Sequence, residues 1–249
     1  MSTWRDEIET AKPKRFMCSF VEPSHLEKEA AGKSIADLVD DGMIVGLGTG
    51  TTVAHAIVHL GRRIADEGLS ISGVPTSYQS MLLAIEHRVP LASLYEHEII
   101  DIALDGADQV DSHLHLIKGG GGAHTREKIV ARAARRFCVA VDASKLAPRL
   151  NLPVPLEVLP FACPVVRSEV RRMGASAELR RFEQNQAYVT DQGNLILDAH
   201  FGIIRDPRKL AIELSAIPGV VEHGIFTNVS EVHVARIREK SATVEILTP

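Results

Sequence analysis

Cysteine is scarce in this chain of 249 residues, and its three copies, Cys18, Cys138 and Cys163, are odd in number and widely scattered. No Cys-x-x-Cys pair occurs, so neither a disulfide framework nor a zinc knuckle is indicated. Cys138 lies in the apolar run Phe137-Cys138-Val139-Ala140-Val141, where a buried, inert thiol is expected. Positive charge is not in excess: a net charge of −4 argues against nucleic acid or an anionic membrane as the main partner. No apolar run approaches membrane-spanning length. Met1 to Lys14 is polar, of mixed charge, and without the apolar core of a signal peptide, which gives the expectation of a cytoplasmic protein. Any anion site must then be a local gathering of Lys and backbone N–H groups. Histidine is plentiful, at 11 copies, but metal-binding spacing is lacking. His55 and His59 stand at i, i+4 without the Glu of a His-Glu-x-x-His motif, and His113 and His115 have no obvious third ligand. No metal site is expected.

What is present is an ordinary globular composition, 45% hydrophobic and 24% charged, on a length that allows one large domain or two modest ones. Residues 1–23 read as an N-terminal extension. Ser24-His25-Leu26-Glu27 has the form of a capping box, and Ala31, Ile35, Leu38 and Val39 continue it with helical spacing. Strands are expected at Met43–Leu47, Ile71–Val74, Ile99–Leu104, His113–Ile117 and Phe137–Val141. Helices are expected through Val53–Ile64, Tyr78–Glu86 and Thr125–Arg136. This alternation over residues 24–151 argues for a mostly parallel sheet with helices on both faces. Pro148, Pro153, Pro155, Pro160 and Pro164 then punctuate a linker. Residues 152–223 read as a small α+β domain, with strands at Leu156–Leu159, Ala187–Thr190 and Leu195–Ala199 and helices near Val165–Met173 and Pro207–Ser215. Residues 224–249 alternate like strands returning to the first sheet.

The chemistry-bearing segments fall at strand ends, where an open parallel sheet binds its ligands. Gly46-Leu47-Gly48-Thr49-Gly50-Thr51-Thr52 joins a strand to a helix, so its N–H groups and threonine hydroxyls suit a phosphate. It lacks a Walker lysine. It also lacks the sixth-position glycine of a dinucleotide loop, and Thr76-Ser77 stands where a ribose-binding acid would be wanted. Asp105-Gly106-Ala107-Asp108 offers a carboxylate pair for sugar hydroxyls or a ring oxygen, or else a plain turn. Lys118 precedes four glycines, more than a turn needs, which suggests backbone close to a ligand. Glu127 falls in the first turns of the next helix, where the helix dipole favours an ionised carboxylate.

Together with Pro75-Thr76-Ser77, Asp142-Ala143-Ser144-Lys145, Val189–Asn194 and Ile217–Phe226, these segments make the chain resemble ribose-5-phosphate isomerase of the A type from about Leu26 to the last strand. The resemblance implies a Rossmann-like domain with a smaller ferredoxin-like α+β domain, in a homodimer or homotetramer. It implies interconversion of ribose 5-phosphate and ribulose 5-phosphate in the pentose phosphate pathway, through a cis-enediol and without metal or organic cofactor. It implies Glu127 as the base; that chemistry wants positive charge near the developing enediolate, for which Lys118 is the natural candidate, and Asp105 is the carboxylate expected to assist opening of the furanose ring. Substrate would be held by Thr49, Gly50, Thr51 and Thr52, by Asp105, Gly106, Ala107 and Asp108, by Lys118, Gly119, Gly120 and Gly121, by Lys145, and by Lys28 on the first helix. Three departures stand out: Gln109 in place of the usual Glu, His124 three residues before the base, and the extension. The rivals are a related sugar-phosphate deaminase or CoA transferase, and a non-catalytic sugar-phosphate sensor. The Lys118–Lys128 segment does not resemble the transferase. The extension has no room for the helix-turn-helix a sensor would carry.

Overall fold

The computed structural model describes residues 23–182, 185–238 and 241–249. The expected extension thus lies outside the described residues except for Pro23, and so does the side chain of Ser24, the first member of the expected capping box. The first half runs α1 (Pro23–Ala36), β1 (Ile44–Leu47), α2 (Thr51–Glu67), β2 (Ser72–Pro75), α3 (Tyr78–Glu86), β3 (Ile100–Asp105), β4 (Gln109–Val110), β5 (Leu116–Ile117), α4 (His124–Ala133) and β6 (Ala134–Asp142). The second runs β7 (Val154–Val158), α5 (Cys163–Arg172), β8 (Ser176–Leu179), β9 (Leu195–His200), α6 (Pro207–Ser215), β10 (Val220–His223), β11 (Ile225–Phe226), β12 (Glu231–Arg238) and β13 (Ser241–Leu247).

Six strands form the main sheet in the order β13-β12-β6-β3-β1-β2, parallel except for the β12–β13 pair at one edge. Successive residues of its central strands enter different cores, because neighbouring side chains on a strand face opposite ways. Cys138 and Ala140 pack with Ala31 and Ile35 of α1 and Val53, Ile57 and Leu60 of α2. Phe137, Val139 and Val141 pack instead with Val130 and Ala131 of α4. Both faces are therefore covered, as a parallel sheet requires.

β7, α5, β8, β9, α6 and β10 form a β-α-β-β-α-β unit whose antiparallel sheet has the order β10-β7-β9-β8. Val166 and Val170 of α5 and Leu210 and Leu214 of α6 pack on Leu156 and Leu197 to make its own core. A small sheet, β11-β5-β4, lies beside Lys118.

Three expectations need correction, and one strand was not expected. The strand expected over His113–Ile117 is confined to Leu116–Ile117. Asp111 Oδ1 accepts from the N–H groups of His113 (2.8 Å) and His115 (2.9 Å), and Leu114 has φ 60°, so the chain turns before it can pair. Helix α4 stops at Ala133 rather than Arg136, because Ala134 and Arg136 already pair with Ile100 and Ile102 of β3. Residues Ala187–Thr190 make only two isolated bridges, Arg181 with Ala187 and Val189 with Leu195. Strand β8, unforeseen, is an edge strand with a single buried side chain, that of Ala177.

Candidate active site

The cavity at the C-terminal ends of β1 and β3 begins with a helix that no side chain caps. Gly50, at φ 116°, turns the chain into α2 and has nothing to offer the first-turn amides. The first N–H groups of a helix have no partner within it, and the dipole adds partial positive charge there, so this end attracts an anion. Thr51, Thr52 and Val53 line the cavity. Thr49 does too, but its hydroxyl donates to Ser77 Oγ (2.7 Å) and lies 2.9 Å from Thr76 Oγ1, which ties the loop to the start of α3. Ser77 caps α3 through a reciprocal bond with Ser80, and this aims Gln79 at the cavity. Sequence reasoning passed over Gln79 and Val53. The Pro75-Thr76-Ser77 turn was the available signal, since a cap fixes which residues open the helix.

Lys28 and Lys145 line the same cavity from α1 and from the short turn after β6. Asp142 holds that turn by accepting from the N–H and hydroxyl of Ser144. Gly106, Ala107, Asp108, Lys118, Gly119, Gly120, Gly121 and Glu127 complete the wall. Of the expected site residues, Asp105 alone does not line it. The Asp105 carboxylate is buried behind Lys118, where Oδ1 accepts from Gly106 N–H (2.8 Å) and Thr49 N–H (3.3 Å) and Oδ2 lies 3.1 Å from Lys118 Nζ. Direct contact with substrate is thus closed to Asp105 in this arrangement.

Lys118 Nζ donates to the carbonyl of Gly106 (2.6 Å) and lies 3.0 Å from Glu127 Oε2, an ion-pair contact. Its side chain is only 3% exposed and that of Glu127 5%, so little water can share the charges. Burial works against the ammonium, but the Asp105 and Glu127 carboxylates outweigh it and hold its pKa above the ordinary lysine value. One cation cannot satisfy two buried anions equally. Burial and the neighbouring Asp105 push Glu127 up to about 8, with Lys118 opposing, and burial likewise raises Asp105. Burial thus opposes the helix dipole expected to favour an ionised Glu127, and makes the carboxylate a stronger base.

The glycine run is explained mostly by protein neighbours. A Cβ on Gly119 would lie 2.6 Å from His124 Nδ1, one on Gly120 2.7 Å from Asp108 Oδ1, and one on Gly122 2.5 Å from the Tyr188 hydroxyl. Gly119 and Gly122 also have φ of 103° and 75°, which disfavours side chains. Only Gly121 has open space where a side chain would go. His124 is fully buried and its pKa falls to about 3 through burial and then the nearby Lys128, so the ring is neutral. Gln109 is directed away from the cavity. Its side chain donates to Asn151 Oδ1 (2.6 Å) and accepts from the N–H groups of Asn151 (2.7 Å) and Leu152 (3.1 Å), fastening the linker between the two large sheets.

Comparison with known proteins agrees with this geometry. Residues 72–239 match the sequence model of ribose 5-phosphate isomerase A (phosphoriboisomerase A). The chain is 53% identical over 223 residues to ribose-5-phosphate isomerase A of Methanosarcina acetivorans, which covers 89% of this chain and 94% of the relative. The structure of ribose 5-phosphate isomerase A from Methanocaldococcus jannaschii superposes with a TM-score of 0.84 at 43% identity, covering 89% of this chain and 98% of that one. A D-ribose-5-phosphate isomerase in complex with phospho-erythronic acid superposes with a TM-score of 0.85 at 45% identity, covering 90% and 98%. A fold match over nearly the whole of each solved chain, joined to identity of this order, makes the chain a member of the ribose 5-phosphate isomerase A family.

Proposed function

We propose that this cavity isomerises a pentose phosphate by proton transfer, with Glu127 as the base and Lys118 as the charge that stabilises the intermediate. As a ribose 5-phosphate isomerase A, the chain interconverts ribose 5-phosphate and ribulose 5-phosphate. The observation that carries the assignment of roles is the Lys118–Glu127 contact of 3.0 Å, in a cavity whose other residues include Lys28, Lys145 and the uncapped start of α2. The latter three bind the phosphate. Glu127 takes the proton from C2 of the open-chain aldose, leaving a cis-enediol whose developing negative oxygen the Lys118 ammonium stabilises. The same carboxyl group returns the proton to C1, while a hydroxyl proton passes from O2 to O1, and the product is the ketose. The acid–base work needs no electron acceptor.

Asp105 is buried and keeps Lys118 in place from behind, so the ring-opening assistance expected of it passes to Asp108, the carboxylate that lines the cavity. The Glu127→Gln variant tests the central role, because glutamine keeps the shape and cannot take the proton. Following ketose formation from ribose 5-phosphate, kcat should fall by roughly a hundred- to ten-thousand-fold. A variant with near-parental kcat would remove Glu127 from the chemistry. A homodimer or homotetramer in the cytoplasm completes the reading. The exposed apolar side chains Tyr78, Leu82 and Ile85 on α3 support association, and sedimentation equilibrium would measure it.

A further inference from the structure

The loop that carries Lys118 is held from outside the cavity by the smaller sheet. Arg180, just beyond β8, donates through Nη1 to the carbonyls of Gly119 (2.7 Å) and Gly120 (3.1 Å). Its own position is fixed by a two-pronged bond to Asp198 of β9, with Nε 2.9 Å from Oδ2 and Nη2 on Oδ1. The guanidinium also lies 5.8 Å from the centre of the Tyr188 ring, and the Tyr188 hydroxyl donates to the carbonyl of Gly121 (2.8 Å). Arg180 borders a neighbouring cleft with Arg181 and His200 and does not line the cavity of Lys118 and Glu127.

A trans peptide points its N–H opposite to its carbonyl. With the Gly119 carbonyl drawn outward to Arg180, the Gly120 N–H points inward, and there it donates to Asp108 Oδ2 (2.7 Å). With the Gly120 carbonyl drawn outward as well, the Gly121 N–H must also point inward. Gly121 lines the cavity, and its N–H has no protein acceptor among the described residues. Four successive glycines cannot hold such an arrangement unaided, since their unrestrained backbones have the most conformations to lose.

We infer that Arg180 is a positioning residue for the isomerisation: it fixes two successive peptide planes of the glycine loop, so that one N–H anchors Asp108 and the next is presented to a substrate hydroxyl. The inference rests on the reading of this cavity as the pentose-phosphate site. A hydrogen bond to a spectator hydroxyl is made alike in ground and transition states, so its loss belongs in KM rather than kcat. Lys118 and Glu127 stay in place without Arg180, because Asp105 and the Gly106 carbonyl hold the ammonium.

The test is steady-state kinetics of Arg180→Met and Arg180→Lys with ribose 5-phosphate as the probe, at several pH values, with thermal unfolding to show that each variant is folded. Arg180→Met should raise KM roughly tenfold with kcat within about threefold and the pH dependence of kcat unmoved. Arg180→Lys, with one ammonium that can reach a single carbonyl, should recover about half of that loss on a logarithmic scale. A folded Arg180→Met with parental KM overturns the inference. So does a loss confined to kcat with a displaced pH profile, which would make Arg180 a partner of the base. If Arg180→Met does not fold, Arg180→Lys decides: a raised KM supports the inference and a parental KM overturns it. Failure of the site reading has a separate signature, a parent chain that does not convert ribose 5-phosphate, and that outcome overturns both.

Discussion

At the floor of the cavity one ammonium faces two carboxylates, and this imbalance sets the chemistry of Glu127. A glutamate at its ordinary pKa is a weak base at neutral pH, whereas one raised by burial takes a carbon-bound proton more readily. The sign of the pH dependence follows. Below its raised pKa, Glu127 already holds a proton and cannot accept another, so kcat/KM should fall on the acid side with a midpoint well above the ordinary glutamate range. A limb at about 6 would instead be the second ionisation of the substrate phosphate, and would count against the assignment. The same shift costs stability. Between the unfolded and folded values, the native state keeps a proton that the unfolded chain has released, so stability falls as pH rises through that window. Glu127→Gln removes the conflict, and its thermal midpoint should exceed the parent's by a margin that grows from pH 5 to pH 9. His124, three residues earlier, is the natural competitor for the proton. Buried, neutral, 3.4 Å from the Glu222 carbonyl through Nε2 and not among the residues that line the cavity, it is poorly placed to compete, and His124→Ala should leave the acid limb where the parent has it. A limb displaced in His124→Ala but not in Glu127→Gln would reverse the two roles.

Among the elements, the start of α2 and the Lys145 turn line the cavity where we place the phosphate, and both were legible in sequence because glycine punctuation and a strand end are local signals. Lys145→Ala should raise KM for ribose 5-phosphate much more than it affects turnover of unphosphorylated ribose. Proportional losses on the two sugars, measured side by side, would show that the lysine does not read the phosphate. The helices Tyr78–Glu86 and Pro207–Ser215 match expectation because their ends are marked within the segment, by the cap Ser77 and by Asp206 with Pro207. Elements decided by distant partners were not legible. The Asp111 carboxylate converts an alternating pattern at His113–Ile117 into a turn, and pairing with β3 pulls Ala134–Arg136 out of the helix. Strand β8 alternates Ser176-Ala177-Glu178-Leu179 too weakly to announce itself, yet it leads directly into Arg180. The burial of Asp105 escaped for a related reason: a loop sequence shows which side chains are close, not which one turns its back on the cavity.

For the molecule as a whole, the smaller sheet is an insertion: the chain leaves the main sheet after Asp142 and rejoins it at Glu231, beside the strand it left. Its Glu157, fully buried on β7, accepts from Thr125 Oγ1 on α4, from Thr190 Oγ1 (2.8 Å) and from Asn194 Nδ2 (2.9 Å). One carboxylate thus joins the helix of Glu127, two residues after Thr125, to the turn Thr190–Asn194. The next member of that turn, Asp191, accepts from the N–H of Tyr78 (2.9 Å), at the start of the helix that aims Gln79 at the cavity. Two walls of the site therefore depend on the smaller sheet, in addition to the glycine loop. Glu157→Ala would leave three donors without their acceptor, at about 1–3 kcal/mol for each one that stays buried. For a chain of this size, a net loss of about 3 kcal/mol corresponds to a thermal midpoint lower by roughly 10 °C. Because the insertion is flanked at both ends by paired strands of the main sheet, β6 and β12, calorimetry should show a single cooperative transition for the parent. The variant should unfold earlier, with turnover reduced through misplacement of α4. A Glu157→Ala protein with the parental midpoint and parental kcat would mean that the two sheets are joined elsewhere, and that the site stands on the main sheet alone.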